Sequence, residues 1–166
     1  MKRRPLRLLS IDLTAKGFGF ALLDAKRGLL DWGFSAVPAT DDSVFMIRVI
    51  AKIARGGPTA IVLENFTPTK GRENALRRRD MVMTLATDRR LGMCHVSRTI
   101  VRRILGVNTK AEIAEQLVGR FPELQSRMPP ERRRWMNEDE RMHIFDALSF
   151  AVVVLFPDDH YAAVAK

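Results

Sequence analysis

Three acids and one imidazole stand where a folded chain seldom tolerates them. Asp12 closes an apolar run over residues 6–12, Glu64 closes TAIVLE at 59–64, and Asp146 is flanked by Phe145, Ala147 and Leu148. A carboxylate in such company is costly to bury unless a cation or hydrogen bonds compensate it. Asp139, His143 and Asp146 follow at intervals of four and three, so a helix there projects all three from one face. If the three segments converge, their acids repel one another, and divalent ions held by oxygen ligands relieve that repulsion. The sequence has no Cys and His cluster with zinc spacing, so any metal would rest on carboxylates. Taken singly, each residue has a plainer reading: Asp12 as a turn former, Glu64 as a loop residue, His143 as a partly buried histidine. Topology has to bring them together.

The elements that would do so are α/β. Runs at 6–12, 17–24 and 28–35, separated by short turn sequences, predict a three-strand antiparallel meander. Asp41-Asp42-Ser43 then caps a helix on which Val44, Ile47, Ile50, Ala51 and Ala54 recur at helical spacing, stopped by Gly56-Gly57-Pro58. The buried strand 59–64 follows this crossover, so it returns parallel and pairs beside Leu8 to Ile11, placing Asp12 and Glu64 at the same edge. Helices are predicted at 73–91, 109–121 and 138–156 and a short strand at 93–97. Residues 122–137, with a double proline and an arginine run, read as a mobile loop inside one domain spanning 1–166.

The chain carries 28 Lys and Arg against 19 Asp and Glu, a net charge of +9, with 46% hydrophobic residues. That is a basic globular protein suited to a polyanion, either nucleic acid or an anionic membrane surface. The longest apolar stretch, 147–156, is about half the roughly 20 residues a bilayer crossing needs, and Ser149 interrupts it. Arg7 and Asp12 break any signal-peptide core near the start, so a cytoplasmic location is expected. The lone Cys94 reads as a buried, inert thiol.

Eleven cations against three acids between residues 68 and 110 carry nearly all the net charge. Lys70, Arg72 and the Arg77-Arg78-Arg79 cluster follow Glu64 directly and are expected to contact phosphates, with Arg102 and Arg103 further along. Phe66 either wedges against an unstacked base or packs, and Arg132-Arg133-Arg134-Trp135 forms a second basic and aromatic patch. The helix at 73–91 also shows Leu76, Val82, Met83, Leu85 and Ala86, more apolar surface than one face against a sheet requires, which suggests a partner.

The run SIDLTAKGFGFALLD, the strand IVLENF and the last-helix pattern HIFDALSFAVV resemble the RuvC-type Holliday junction resolvases of the ribonuclease H-like superfamily. VSRTIVRRILGVNTKAEIAEQL resembles that family's segment from the fifth strand into its third helix, so the likeness spans nearly the whole chain in order. It implies a ribonuclease H-like five-stranded mixed sheet flanked by helices. Asp12, Glu64 and Asp146 match the first-strand, fourth-strand and final-helix acids of the family's metal site. His143 stands where an aspartate is frequent, and a nitrogen ligand suits Mn²⁺ better than Mg²⁺. Lys110 falls about where the family carries a basic residue near the scissile phosphate.

The resemblance further implies two divalent ions, Mg²⁺ or Mn²⁺, no small-molecule cofactor, and a homodimer that nicks a four-way DNA junction to leave 5′-phosphate and 3′-hydroxyl ends. Another ribonuclease H-like nuclease, acting on structured RNA or other branched DNA, is the nearest rival. A non-catalytic binder of branched nucleic acid is the second, with His143 as its motive. A sugar kinase or actin-like ATPase is not expected, because 166 residues are too few for two such lobes and no second phosphate loop is visible.

Overall fold

Alternation along the first strand decides which side of the sheet each residue serves. The computed structural model describes residues 4–157. In β1 (Arg7–Thr14), Leu9, Ile11 and Leu13 point to one side, while Leu8, and by the same alternation Ser10 and Asp12, face the other. β2 (Gly17–Asp24) and β3 (Gly28–Ala36) complete the antiparallel meander, β4 (Ala60–Glu64) joins β1 in parallel, and β5 (Gly92–Val96) joins β4. The five-stranded mixed sheet thus runs β3-β2-β1-β4-β5. Ile11 lies beside Leu63 and Glu64 beside Val96, so the parallel strands end together as the sequence predicts.

Helices cover both faces. α1 (Asp42–Gly56) and α2 (Glu73–Asp88) pack on the side of Leu9, Ile11 and Leu63. α3 (Arg98–Leu105), α4 (Lys110–Arg120) and α5 (Met142–Leu155) pack on the side of Leu8, Val62 and Val96. α5 is buried almost all round because the sheet lies on one flank and α3 and α4 on the other. Its bulk is accommodated by small residues beneath it: Gly19, Ser10 and the fully buried Ala21. Asp41 caps α1, Ser97 caps α3, and Thr109 with Glu112 forms a capping box on α4. Among the described residues no helix is long and apolar enough to cross a membrane.

Several expectations change. The last helix starts at Met142 rather than 138, because Asp139 accepts a hydrogen bond from the Arg141 backbone N–H at 2.9 Å and pairs with the Arg141 guanidinium. Asp139 therefore leaves the face it was expected to share with His143 and Asp146. α2 stops at Asp88, and Arg90 takes up a positive φ of 55° just beyond it. The predicted loop at 122–137 opens with a 3₁₀ helix, Pro122–Arg127, whose Leu124 is buried in the core. Residues 128–137 carry no regular element, and Trp135 is 77% exposed. On α2, Val82, Leu85 and Ala86 are core residues, which leaves only Leu76 and Met83 of the apolar surplus partly exposed. Cys94 is half-buried rather than buried, since β5 is an edge strand.

The meander is tied down by a buried carboxylate. Asp24 Oδ1 accepts from the backbone N–H groups of Lys26 at 2.9 Å and Arg27 at 3.0 Å, and Oδ2 accepts from Arg7 Nε at 3.1 Å. Arg7 Nη1 donates to Gly56 O at 2.7 Å, joining the strand to the end of α1. The Lys26 N–H, helped by that of Arg27 and by the Arg7 guanidinium, holds the Asp24 carboxyl below its ordinary range despite burial. A carboxyl depressed in the folded state contributes stability above its unfolded pKa of about 3.9 and loses it as pH falls through the folded value. Asp24→Asn should therefore cost about 3 kcal/mol at neutral pH and make the acid limb of stability shallower, as thermal melts across the acid range will show.

Candidate active site

The site forms where the first turn of α5 meets the ends of β1 and β4. Asp12 is fully buried on the α5 side of β1, and its cross-strand neighbour on β2 is Gly19. A Cβ on Gly19 would lie 2.2 Å from the His143 carbonyl oxygen and 2.7 Å from the His143 Cβ. The glycine is what allows α5 to rest directly on the sheet at this point. His143 Nδ1 is then hydrogen-bonded to Asp12 Oδ2 at 2.8 Å, and its ring lies against Phe34, with centroids 5.7 Å apart. One turn further, Asp146 is 1% exposed and turned to the same place. Asp12, His143 and Asp146 each offer a ligand atom, all within 4.8 Å of one another. Two carboxylates and an imidazole at that separation fit a divalent cation that accepts both oxygen and nitrogen.

Cations of the chain itself already engage these acids. Arg98, the first residue of α3, reaches Asp12 Oδ1 at 3.1 Å, Glu64 Oε1 at 2.7 Å and Asp146 Oδ2 at 2.9 Å. Lys110, the first residue of α4, lies 3.0 Å from Asp146 Oδ2 and also pairs with Glu138. Arg72 Nη2 donates to Glu64 Oε2 at 3.2 Å. Burial pushes the Asp12 carboxyl up, aided by the charge of Asp146 and opposed by the His143 hydrogen bond and by Arg98. Burial opposes the charged form of His143, but its bond to Asp12 and the surrounding carboxylates outweigh this and raise its pKa. Arg98 is likewise raised, because three acids outweigh its desolvation. An open cleft of about 310 Å³ runs from Asp12 and Thr14 past Arg72 and Asn74 to Lys110 and Glu138. A larger groove of about 950 Å³ adjoins it between α4 and residues 128–142, with Arg102, Lys110 and Arg132 in its walls.

The structure thus brings Asp12, Glu64, His143, Asp146 and Lys110 to one place. Glu64 lies at the edge of the group rather than among the three close donors, and its oxygens are engaged by Arg72 and Arg98. The Arg77-Arg78-Arg79 cluster does not present three cations together on the surface. Arg78 is completely buried over the Phe45 ring, with its Nε 3.1 Å from Asp42 Oδ1 and its Nη2 donating to Pro38 O at 2.6 Å. Arg77 pairs with the same Asp42, and Arg79 with Asp80. Helical spacing turns three consecutive residues in three directions, and the middle one fastens α2 to the start of α1. Phe66 packs partly against the core, with the Arg72 guanidinium 3.8 Å from its ring centroid. Lys70, Arg102 and Arg103 are exposed.

Arg98 is the site residue that the sequence reading passed over, counted only among the cations of the basic stretch. Its signal was present: β5 runs parallel beside β4, so the residues just past its end arrive at the same edge as Asp12 and Glu64. Ser97 caps α3 and fixes Arg98 there.

No family model matches the sequence, and no curated protein matches it. Solved structures do. The Thermus thermophilus RuvC in complex with a Holliday junction substrate superposes with a TM-score of 0.65 at 19% identity, covering 96% of each chain. A Thermus thermophilus RuvC structure gives 0.65 at 18% identity, over 96% of this chain and 97% of that one. The yeast mitochondrial Holliday junction resolvase Ydc2 gives 0.63 at 11% identity, over 91% of this chain and 78% of that one. The fold is therefore ribonuclease H-like. Within that class, RuvC and other Holliday junction resolvases are among its structural neighbours.

Because the α5 approach depends on a missing side chain, Gly19→Ala forces the helix or His143 to move. We expect a loss of about 3 kcal/mol in denaturant unfolding, at the upper end of overpacking costs. Stability equal to that of the parent would contradict the close approach.

Proposed function

We propose that the protein is a metal-dependent, structure-selective endonuclease that resolves four-way DNA junctions by paired, symmetric nicks leaving 5′-phosphate and 3′-hydroxyl ends. The observation that carries this reading is the convergence of Asp12, His143 and Asp146 within 4.8 Å at one sheet edge, in a chain whose fold superposes on a junction-bound RuvC over 96% of both chains. Glu64 completes the acidic edge, and Lys110 stands at Asp146, where a scissile phosphate would enter. Two divalent ions, Mg²⁺ or Mn²⁺, would supply water activation and neutralise charge at the departing 3′ oxygen when bound.

The chain's own residues do the rest. Asp12 and Asp146, fixed on a central strand and a buried helix, supply ligands that cannot drift. His143 is oriented by its bond to Asp12. Lys70, Arg102 and Arg103 supply exposed cations for DNA phosphates, in DNA repair and recombination. A homodimer would relate two such sites by a two-fold axis, as a four-way junction relates its two equivalent strands. Leu76 and Met83, seven residues apart on α2 and partly exposed, are apolar positions that could serve it, with the partly exposed Met81 between them.

A second reading, a non-catalytic binder of branched nucleic acid, is favoured by one observation: Arg98 and Lys110 already pair with the acids. A single cleavage assay separates the two. With Mn²⁺ or Mg²⁺ the wild type should cut a four-way junction at equivalent positions in two opposing strands. Asp12→Asn, Glu64→Gln and Asp146→Asn should each lower the rate at least about 100-fold while leaving junction binding within a few-fold. No cleavage with either ion would favour the binder, and cutting of structured RNA in preference to junctions would favour the rival nuclease.

The redistribution of the arginines gives a separate expectation. Replacing exposed Lys70, Arg102 or Arg103 by Ala should reduce the slope of log affinity against log salt by up to about 0.9 for each phosphate that is no longer neutralised. Arg78→Ala should leave that slope unchanged and lower the melting temperature instead, because it empties a buried cation site beside Asp42.

A further inference from the structure

We propose that Arg98 is a positioning residue that serves as the internal counter-cation of the three acids, and that its guanidinium must transfer to a nucleic-acid phosphate before a divalent ion loads. This rests on reading Asp12, His143 and Asp146 as the metal donors. The geometry points to it because one side chain spans all three carboxylates, at 3.1 Å from Asp12, 2.7 Å from Glu64 and 2.9 Å from Asp146. Two of those contacts fall on acids of the close donor set. A dication placed among those donors would stand only a few ångströms from the guanidinium, a strong repulsion at a buried site. The ion and the guanidinium therefore compete for the same oxygens.

The device is also built to move. The Arg98 backbone is fixed by the Ser97 cap at the start of α3, while its side chain is 29% exposed and borders a recess shared with Arg102 and Lys110. Only side-chain torsions need change to turn it outward. A phosphodiester is the natural acceptor, since its paired oxygens match the guanidinium fork. Vacating the acids lets the ion bind, and binding free energies linked in this way are reciprocal: phosphate promotes ion binding and the ion promotes phosphate binding. The chain would then hold few ions at rest and load them on its substrate.

The test uses the full chain and Mn²⁺ alone as the probe, with free Mn²⁺ counted by electron paramagnetic resonance. Without DNA, R98Q should bind Mn²⁺ at least tenfold more tightly than the wild type. R98K, which keeps a charge but cannot fork across three acids, should fall between them. A four-way junction with a phosphorothioate backbone, which keeps its charge and resists hydrolysis, should tighten Mn²⁺ binding severalfold more in the wild type than in R98Q. Thermal melts provide a readout independent of activity: metal-free R98Q should melt below the wild type, and Mn²⁺ should restore it. If R98Q does not fold without metal, R98K carries the comparison, and tighter binding than wild type is still required. Wild-type binding with no gain in the variants overturns the proposal but leaves the metal site standing. Absence of Mn²⁺ binding in every variant, with or without the junction, overturns both.

Discussion

Everything at the sheet edge answers to one constraint: three carboxylates, Asp12, Glu64 and Asp146, are nearly excluded from water within reach of a single side chain. Left alone they would repel one another and shed their charge. The fold surrounds them with the starts of two helices, each offering a cation from its first residue, Arg98 on α3 and Lys110 on α4. Arg72, just before α2, closes the third side. Cations at helix starts sit against the dipole preference, which favours negative charge there. Their placement follows from the acids they face and not from the helices that carry them.

The same edge depends on how near α5 can come. A helix usually stands off a sheet by the depth of the side chains between them. Beneath α5 those side chains are missing or small, at Gly19 and Ser10 and in Ala21. The helix can therefore set the His143 imidazole within hydrogen-bond distance of Asp12. Ser149, one turn on, returns its hydroxyl to the Asp146 carbonyl at 2.7 Å, which satisfies the donor without drawing on the Asp146 carboxylate. Packing and chemistry are inseparable here: the contacts that bury α5 also aim its acid.

Most of this was legible in the sequence where a residue's environment is set by its own strand or helix. The turn sequences around Gly17 and Gly28 defined the meander, and the crossover rule placed TAIVLE parallel to β1, which is enough to bring Asp12 and Glu64 together. The spacing of His143 and Asp146 put them on one face. What stayed hidden depended on partners distant in sequence. Arg78 reads like its neighbours Arg77 and Arg79, and only the position of Asp42, at the start of another helix, buries it. Asp139 kept helical spacing yet was drawn out of the helix by Arg141, two residues away. Arg98 looked like one more charge in a basic stretch because its partners lie 34, 48 and 86 residues from it.

These pairings change what the net charge of +9 means. Arg7, Arg72, Arg77, Arg78, Arg98 and Lys110 are each held by an acid of the chain, so they shape the fold and its edge before they meet any ligand. The exposed cations, Lys70, Arg89, Arg90, Arg102 and Arg103 among them, carry the positive field that the surface presents to solvent. At the acidic edge the balance is different. Asp12, Glu64, Glu138 and Asp146 face Arg72, Arg98 and Lys110, with His143 beside them, so the group is close to neutral as it stands. A dication entering such a group would leave positive charge in excess, and a phosphodiester in the cleft would offset it. Electroneutrality at a buried site would thus tie cation and polyanion together more tightly than either would be held alone.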